Sequence, residues 1–252
     1  MSQTWIPALG LAGLLSAAFV TGYCWPTSSE APSNLSVASQ VQKDLPDFSG
    51  YTDIKQKKKD FFQFLLPLIR QANQQIKKER AYLLSLDQLD KLAMVDVIEL
   101  EHLMQRYEVD GPITEETRTS LLERINTIPA SLVLAQAANE SAWGTSRFAK
   151  EGNNLFGQWC YSKGCGLIPK RRGHGQVHEV AKFDSVADSI ASYMRNLNTQ
   201  VAYEDLRGLR ASRPNISGHD LAQGLLKYST RREAYVHEIQ LMIRQNKLGR
   251  FD

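Results

Sequence analysis

The chain is poor in cysteine, nearly balanced in charge and almost free of long apolar runs, and each shortage removes a class of function. Three cysteines in 252 residues leave no second ligand pair at zinc spacing, and His174, His178, His219 and His237 make no recognisable ligand set. No metal and no cofactor are therefore expected. Thirty Lys and Arg against 27 Asp and Glu give a net charge of +3, too little to argue for nucleic acid, although mild basicity suits a polyanionic polymer. A hydrophobic content of 42% excludes a disordered chain and provides for one sizeable core or two modest ones.

The one long apolar run, Trp5 to Val20, has the length of a signal sequence and precedes a stretch rich in Thr, Ser, Pro and Gly. It predicts export. Met1 to Thr4 carries no Lys or Arg, and no clear small-x-small cleavage site precedes Trp25. An uncleaved anchor therefore stays open beside a cleaved leader, although spanning needs about 17 to 25 residues. Cys24 invites a lipoprotein reading, but Tyr23 is bulky for the residue before a lipidated cysteine. The expected organisation is a leader or anchor over 1–24, a flexible linker over 25–49, a helical region over 50–127 and a domain carrying the chemistry over 128–252.

Helical spacing is strong in the first half. Lys55 to Lys59 reads as a solvated first turn. Phe61, Phe62, Leu65, Leu66, Leu68 and Ile69 begin an amphipathic helix reaching about Leu84, kinked or broken at Pro67. Further helices are predicted over Leu86–Tyr107 and Glu115–Ile125, the second opened by Thr114 with Thr117. Another runs from Pro129 to Trp143, with Asn126 or Thr127 as cap and Gly144 as its stop.

That last helix is uncharged until Glu140. Val133, Ala137 and Glu140 fall at i, i+4 and i+7, so the carboxyl shares a face with apolar residues. Burial disfavours the charged form of a carboxyl group, and a group so placed can give a proton to a leaving oxygen. The same spacing also allows a solvent-facing Glu at a fraying helix end.

Beyond Phe148, closely spaced glycines predict a loop-rich lobe with short strands. In WCYSKGCG, Cys160 and Cys165 flank a tight turn and form the expected disulfide of an exported protein. Gln176 to Phe183 alternates as a strand, with Val177, Glu179, Ala181 and Phe183 on one face and His178 on the other. Helices follow over Ser185–Asn196, Asp220–Lys227 and Arg231–Gln245. Two carboxylates, one ending a helix and one on a lobe strand, suit hydrolysis of a glycosidic bond. A separation of about 5 to 5.5 Å favours retention and about 6.5 to 9.5 Å inversion.

Three segments, ANESAWGTSRFAKEGNNLFGQW, KFDSVADSIASYMRNL and YSTRREAYVHEIQLMI, resemble in order the bacterial peptidoglycan N-acetylglucosaminidases of the Bax-like branch of glycoside hydrolase family 73, over roughly Ile128 to Asn246. The resemblance implies a mainly α, lysozyme-like fold: a helical body and a small β-lobe over a sugar-binding groove, preceded here by additional helices. It further implies cleavage of the β-1,4 bond after N-acetylglucosamine. By motif, Glu140 matches the general acid. Glu179 stands where relatives carry a second acidic residue, with Asp184 and Glu151 as competitors. Tyr235 matches a tyrosine lining the cleft, and Tyr228 is the nearby alternative. Trp143, Asn153, Asn154, Phe156 and Trp159 are candidates for the groove or for packing and turn formation. The implied partner is the peptidoglycan glycan strand, acted on by a monomer in the periplasm, with inner-membrane anchoring by the apolar segment still open. Two rivals remain: a lytic transglycosylase of the same fold, with one essential carboxylate, and a non-catalytic wall-binding module.

Overall fold

The computed structural model describes residues 45–170, 172 and 175–252; the apolar run at 5–20 and Cys24 lie outside the described residues. Among the described residues no helix is long and apolar enough to cross a membrane. Asp53 caps the first helix, α1 (Ile54–Ser85), through bonds from the Lys55 and Gln56 amides. Pro67 neither ends nor divides it. The proline is exposed, so water can reach the carbonyl it leaves without a partner. The helix predicted from Leu86 begins later, as α2 (Met94–Arg106), after a short 3-10 turn at Leu89–Lys91. α3 (Glu115–Arg124) opens with the Thr114–Thr117 capping box.

α4 (Ala130–Glu140) is the central helix, and every residue from Ala130 to Ala138 is buried. A helix apolar on all sides belongs inside a core, and α4 packs against α1 and against the carboxy-terminal elements. α5 (Arg147–Gly152) leads into the lobe, a three-stranded antiparallel sheet in the order β1 (Trp159–Cys160), β3 (Glu179–Ala181), β2 (Gly166–Leu167). A side chain at Gly166 would put a Cβ 2.0 Å from the Val180 carbonyl oxygen, so only glycine pairs there. The body closes with α6 (Val186–Thr199), α7 (Glu204–Ser212), α8 (Gly218–Leu221) and α9 (Glu233–Gln245). This is the mainly α, lysozyme-like arrangement that the resemblance implies, with α1 to α3 as the additional helices.

Several elements differ from expectation. The linker expected over 25–49 is docked at its end, because Phe48 is buried against Phe61 and Tyr51. The strand predicted over 176–183 shrinks to three residues, and Val177 is 68% exposed while Glu179 and Val180 are both buried. Glu179 and Val180 point to opposite faces of β3 and both are buried, so alternation fails there. The helix expected over 220–227 is one turn followed by a 3-10 turn at Ala222–Leu225. No spacing signalled α7, whose inward residues include Arg207 and Arg210.

Those arginines have a structural task. Arg210 donates to the carbonyls of Glu123 at 3.0 Å, Asn126 at 3.1 Å and Thr127 at 3.3 Å, and Arg80 donates to the Ile125 carbonyl at 2.9 Å. Cations thus sit at the negative end of the α3 dipole. Asn73 pairs with both backbone groups of Ile128. The segment entering α4 is therefore fixed from three sides, and one apolar core runs across residues 127 and 128.

Candidate active site

Both ends of α4 are locked by residues distant in sequence. At its start the N-cap is Pro129, which offers no side-chain bond, so neither Asn126 nor Thr127 is the cap. Instead the Asp252 carboxylate accepts from the Ser131 amide at 2.7 Å, the Ser131 hydroxyl at 2.7 Å and the Gly218 amide at 3.0 Å. At its end the helix stops at Glu140, three residues before the expected Trp143. Ala142, Trp143 and Gly144 turn left-handed in succession, with φ of 50°, 60° and 77°. Such angles strain a residue that has a Cβ. The turn is held by bonds from the Trp143 amide to the Ala138 carbonyl at 2.9 Å and from the Gly144 amide to the Ser141 hydroxyl at 2.8 Å. The chain thereby leaves the helix axis directly after Glu140.

Glu140 is half-buried. Its Oε1 accepts the Tyr235 hydroxyl at 2.8 Å and the Asn139 side-chain amide at 3.2 Å. Among the described residues no hydrogen bond reaches Oε2. Tyr235, on α9, also accepts from the Gln136 amide at 2.8 Å, and Gln136 accepts from the Tyr193 hydroxyl on α6. Tyr228 stacks on Tyr235 with ring centroids 5.3 Å apart and bonds the Phe156 carbonyl at 3.0 Å. Burial, together with the neighbouring phenols and the Glu140 carboxylate, pushes the hydroxyls of Tyr193, Tyr228 and Tyr235 far above the usual tyrosine range. Burial and Glu140 push Tyr203 up to about 12. All four are neutral at working pH, and Tyr235 acts as a donor.

The lobe carboxylate has a different environment. Glu179 is 5% exposed and accepts backbone bonds from Gly164 at 3.1 Å and Gly166 at 2.8 Å. These amides, with smaller help from Arg172 and Lys163, hold its carboxyl below the usual range. The Cys160–Cys165 disulfide closes the connection from β1 to β2 that carries Gly164. Both cysteine sulfurs and a Glu179 oxygen lie within 4.8 Å of one another, but bonding of the sulfurs to each other removes the thiolates a metal would need.

The other predicted residues separate by surroundings. Trp143 packs edge-on against Phe61 and Phe62 of α1 with Lys58 above its ring, so it joins the turn to the body. Asn153 takes the left-handed position ending α5 and bonds the Phe183 carbonyl at 3.2 Å. Asn154 is buried, donates to the Gln158 and Ala181 carbonyls and accepts from the Phe156 and Gln158 amides. With those bonds made, it is a turn residue. Phe156 is buried and stacked on Tyr193 at 3.9 Å. Trp159 is 57% exposed and stacked on His178 at 4.2 Å, which leaves its other face open to a ligand.

Sequence reasoning passed over Asn139, Gln136 and Tyr193. Gln136 lies four residues before Glu140, on the same helical face, and is polar in an otherwise apolar run; that was its available signal. A cleft of about 1150 Å³ bordered by Arg70, Lys77, Arg213 and Asp252 adjoins the opposite end of α4 and is separate from this constellation.

Residues 118–248 match the glucosaminidase family, described as mannosyl-glycoprotein endo-beta-N-acetylglucosaminidase. Protein bax of Escherichia coli (strain K12) is 32% identical over 215 residues, covering 83% of this chain and 77% of that protein. The catalytic domain of the autolysin Auto from Listeria monocytogenes is similar at 18% identity, with a TM-score of 0.46 over 81% of this chain and 92% of that one. With a helix-borne carboxyl group beside an aromatic cluster and a family match over more than half its length, the chain belongs to the glucosaminidase family.

Proposed function

We propose that the chain is a metal-independent endo-β-N-acetylglucosaminidase that hydrolyses the β-1,4 bond after N-acetylglucosamine in peptidoglycan, with Glu140 as general acid. The observation carrying this reading is the asymmetry at Glu140: donors occupy Oε1, and Oε2 is free of protein partners among the described residues. A proton on Oε2 passes to the glycosidic oxygen as the C–O bond breaks, and the bonding pair leaves with that oxygen. Tyr235 and Asn139 then stabilise the carboxylate left behind. Trp159 offers its open face to a sugar ring. The apolar run at 5–20 supports action in the periplasm, after export or from an inner-membrane anchor.

Glu179 is the proposed second carboxylate, ionised and placed in the lobe. One observation favours a second reading: both its oxygens are engaged by the Gly164 and Gly166 amides. That suits a lytic transglycosylase, in which the sugar 6-hydroxyl attacks and a second carboxylate is dispensable. The test is mass spectrometry of purified peptidoglycan digested by the chain and by Glu140→Gln and Glu179→Gln. Reducing N-acetylglucosamine ends, lost in both variants, support the glucosaminidase with two carboxylates. Anhydro-muramic ends, with Glu179→Gln still active, transfer the protein to the transglycosylases. Absence of any cleavage refutes both in favour of a binding module.

A further inference from the structure

Resting on the assignment of Glu140 as the acid, we propose that Tyr193 and Gln136 are positioning residues that decide which Glu140 oxygen carries the catalytic proton. Donors and acceptors along a buried chain of side chains fix the order of the bonds. Gln136 is fully buried and Tyr193 nearly so. Among the described residues the Tyr193 hydroxyl has one hydrogen-bond partner, Gln136. A phenol proton buried without an acceptor is costly, so Tyr193 must donate, and the Gln136 oxygen must face it. The side-chain amide has no other orientation that satisfies this demand. Its NH2 therefore faces Tyr235 and occupies a lone pair of that hydroxyl. The Tyr235 proton is left to point at Glu140 Oε1.

Were the amide reversed, Tyr235 would donate to Gln136 and offer its lone pair to Glu140. The carboxyl proton would then be captured on Oε1, turned away from the substrate. The present order keeps Oε1 an acceptor and leaves the proton for Oε2. Tyr203 and Tyr228 are the other titratable groups that sense Glu140, and both are neutral, so neither competes for the proton.

Tyr193→Phe is the direct test, because the ring keeps its stack on Phe156 and only the orienting donor is lost. On peptidoglycan kcat should fall about tenfold with KM within about twofold, since part of the general-acid contribution is lost and binding is not. The alkaline limb of the pH profile should move to higher pH, because a Tyr235 that accepts instead of donating favours the protonated carboxyl group. Gln136→Met, which cannot donate, should lower kcat at least as far and decides the matter if Tyr193→Phe does not fold. A parent-like kcat and profile overturns the proposal, and so does a lower kcat with an unmoved limb. Amide exchange is read in parallel by NMR on the labelled chain. The Gln136 side-chain NH2 should exchange slowly in the parent and faster in Tyr193→Phe; equal exchange overturns the relay, even if peptidoglycan proves not to be the substrate.

Discussion

The carboxylate of Asp252 serves two helix starts at once, and removing it gives a prediction whose size can be worked from the structure. Asp252→Ala withdraws the acceptor from the Ser131 amide, the Ser131 hydroxyl and the Gly218 amide. Ser131 and Gly218 are buried, so their donors lose a partner in a place of limited hydration. Three bonds at about 1 kcal/mol each come to about 3 kcal/mol, and a capping residue alone contributes about 1 kcal/mol. The adjoining cleft admits water to part of the gap, so the expected loss is about 2 kcal/mol. For a unit spanning residues 41–252, that lowers the unfolding midpoint by about 4 to 8 °C. Asp252→Asn keeps one acceptor and should lose about half as much. Differential scanning calorimetry measures both, and a cycle with Ser131→Ala isolates the hydroxyl bond. Activity at 25 °C should stay within about twofold of the parent, because Glu140 is held at the other end of α4 by separate bonds. A midpoint change below about 1 °C in Asp252→Ala, or an equal loss with and without Ser131, would refute the reasoning.

At the opposite end, Gly144→Ala places a Cβ 2.7 Å from the Phe48 ring at a φ of 77°; it should cost about 2 kcal/mol or more in urea unfolding and reduce kcat by moving the turn after Glu140. In the lobe, the Glu179 carboxyl lies below its ordinary value of 4.5 in the folded chain. The stability it supplies is therefore full above about 4.5 and is lost as pH falls through the lower folded value. Exchange of the Gly164 and Gly166 amides should quicken over that acid range in the parent and, after correction for intrinsic exchange, be pH-independent in Glu179→Gln, with the amide that loses its acceptor fast throughout.

Legibility followed the range of the interactions. The helix bearing Glu140 was readable because its start, apolar spacing and stop lie within about fifteen residues, and the Thr114–Thr117 box spans only three. Its exact end was not, because the left-handed turn depends on Trp143 meeting Phe61 and Phe62 and on Gly144 fitting beneath Phe48. α7 was silent because Arg207 and Arg210 face inward, where a periodicity search expects carbon. The relay from Tyr193 to Glu140 joins residues 57, 99 and 95 positions apart, and the Asp252 cap spans 121. Folding alone brings these together. Glu179 was located on its strand correctly, yet its neighbours were not foreseen, since the amides that hold it, at Gly164 and Gly166, lie 15 and 13 residues earlier on the connection into β2.

The two carboxylates therefore stand on unlike supports. Glu140 ends a helix buried along its length, locked by Asp252 at one end and by an over-determined turn at the other. Its partners Asn139 and Tyr235 also come from helices. Such a support suits the proton transfer proposed for Glu140, where displacement by about 1 Å can cost about a hundredfold. Glu179 rides on a three-residue strand between strands of two, held by amides at the end of the β1–β2 connection that the disulfide closes. In the reaction proposed above, those few bonds can rearrange without disturbing Glu140. The geometry thus assigns precision to the helical body and adjustment to the lobe, and it makes the Gly164 and Gly166 bonds the ones that must yield if Glu179 is to meet water.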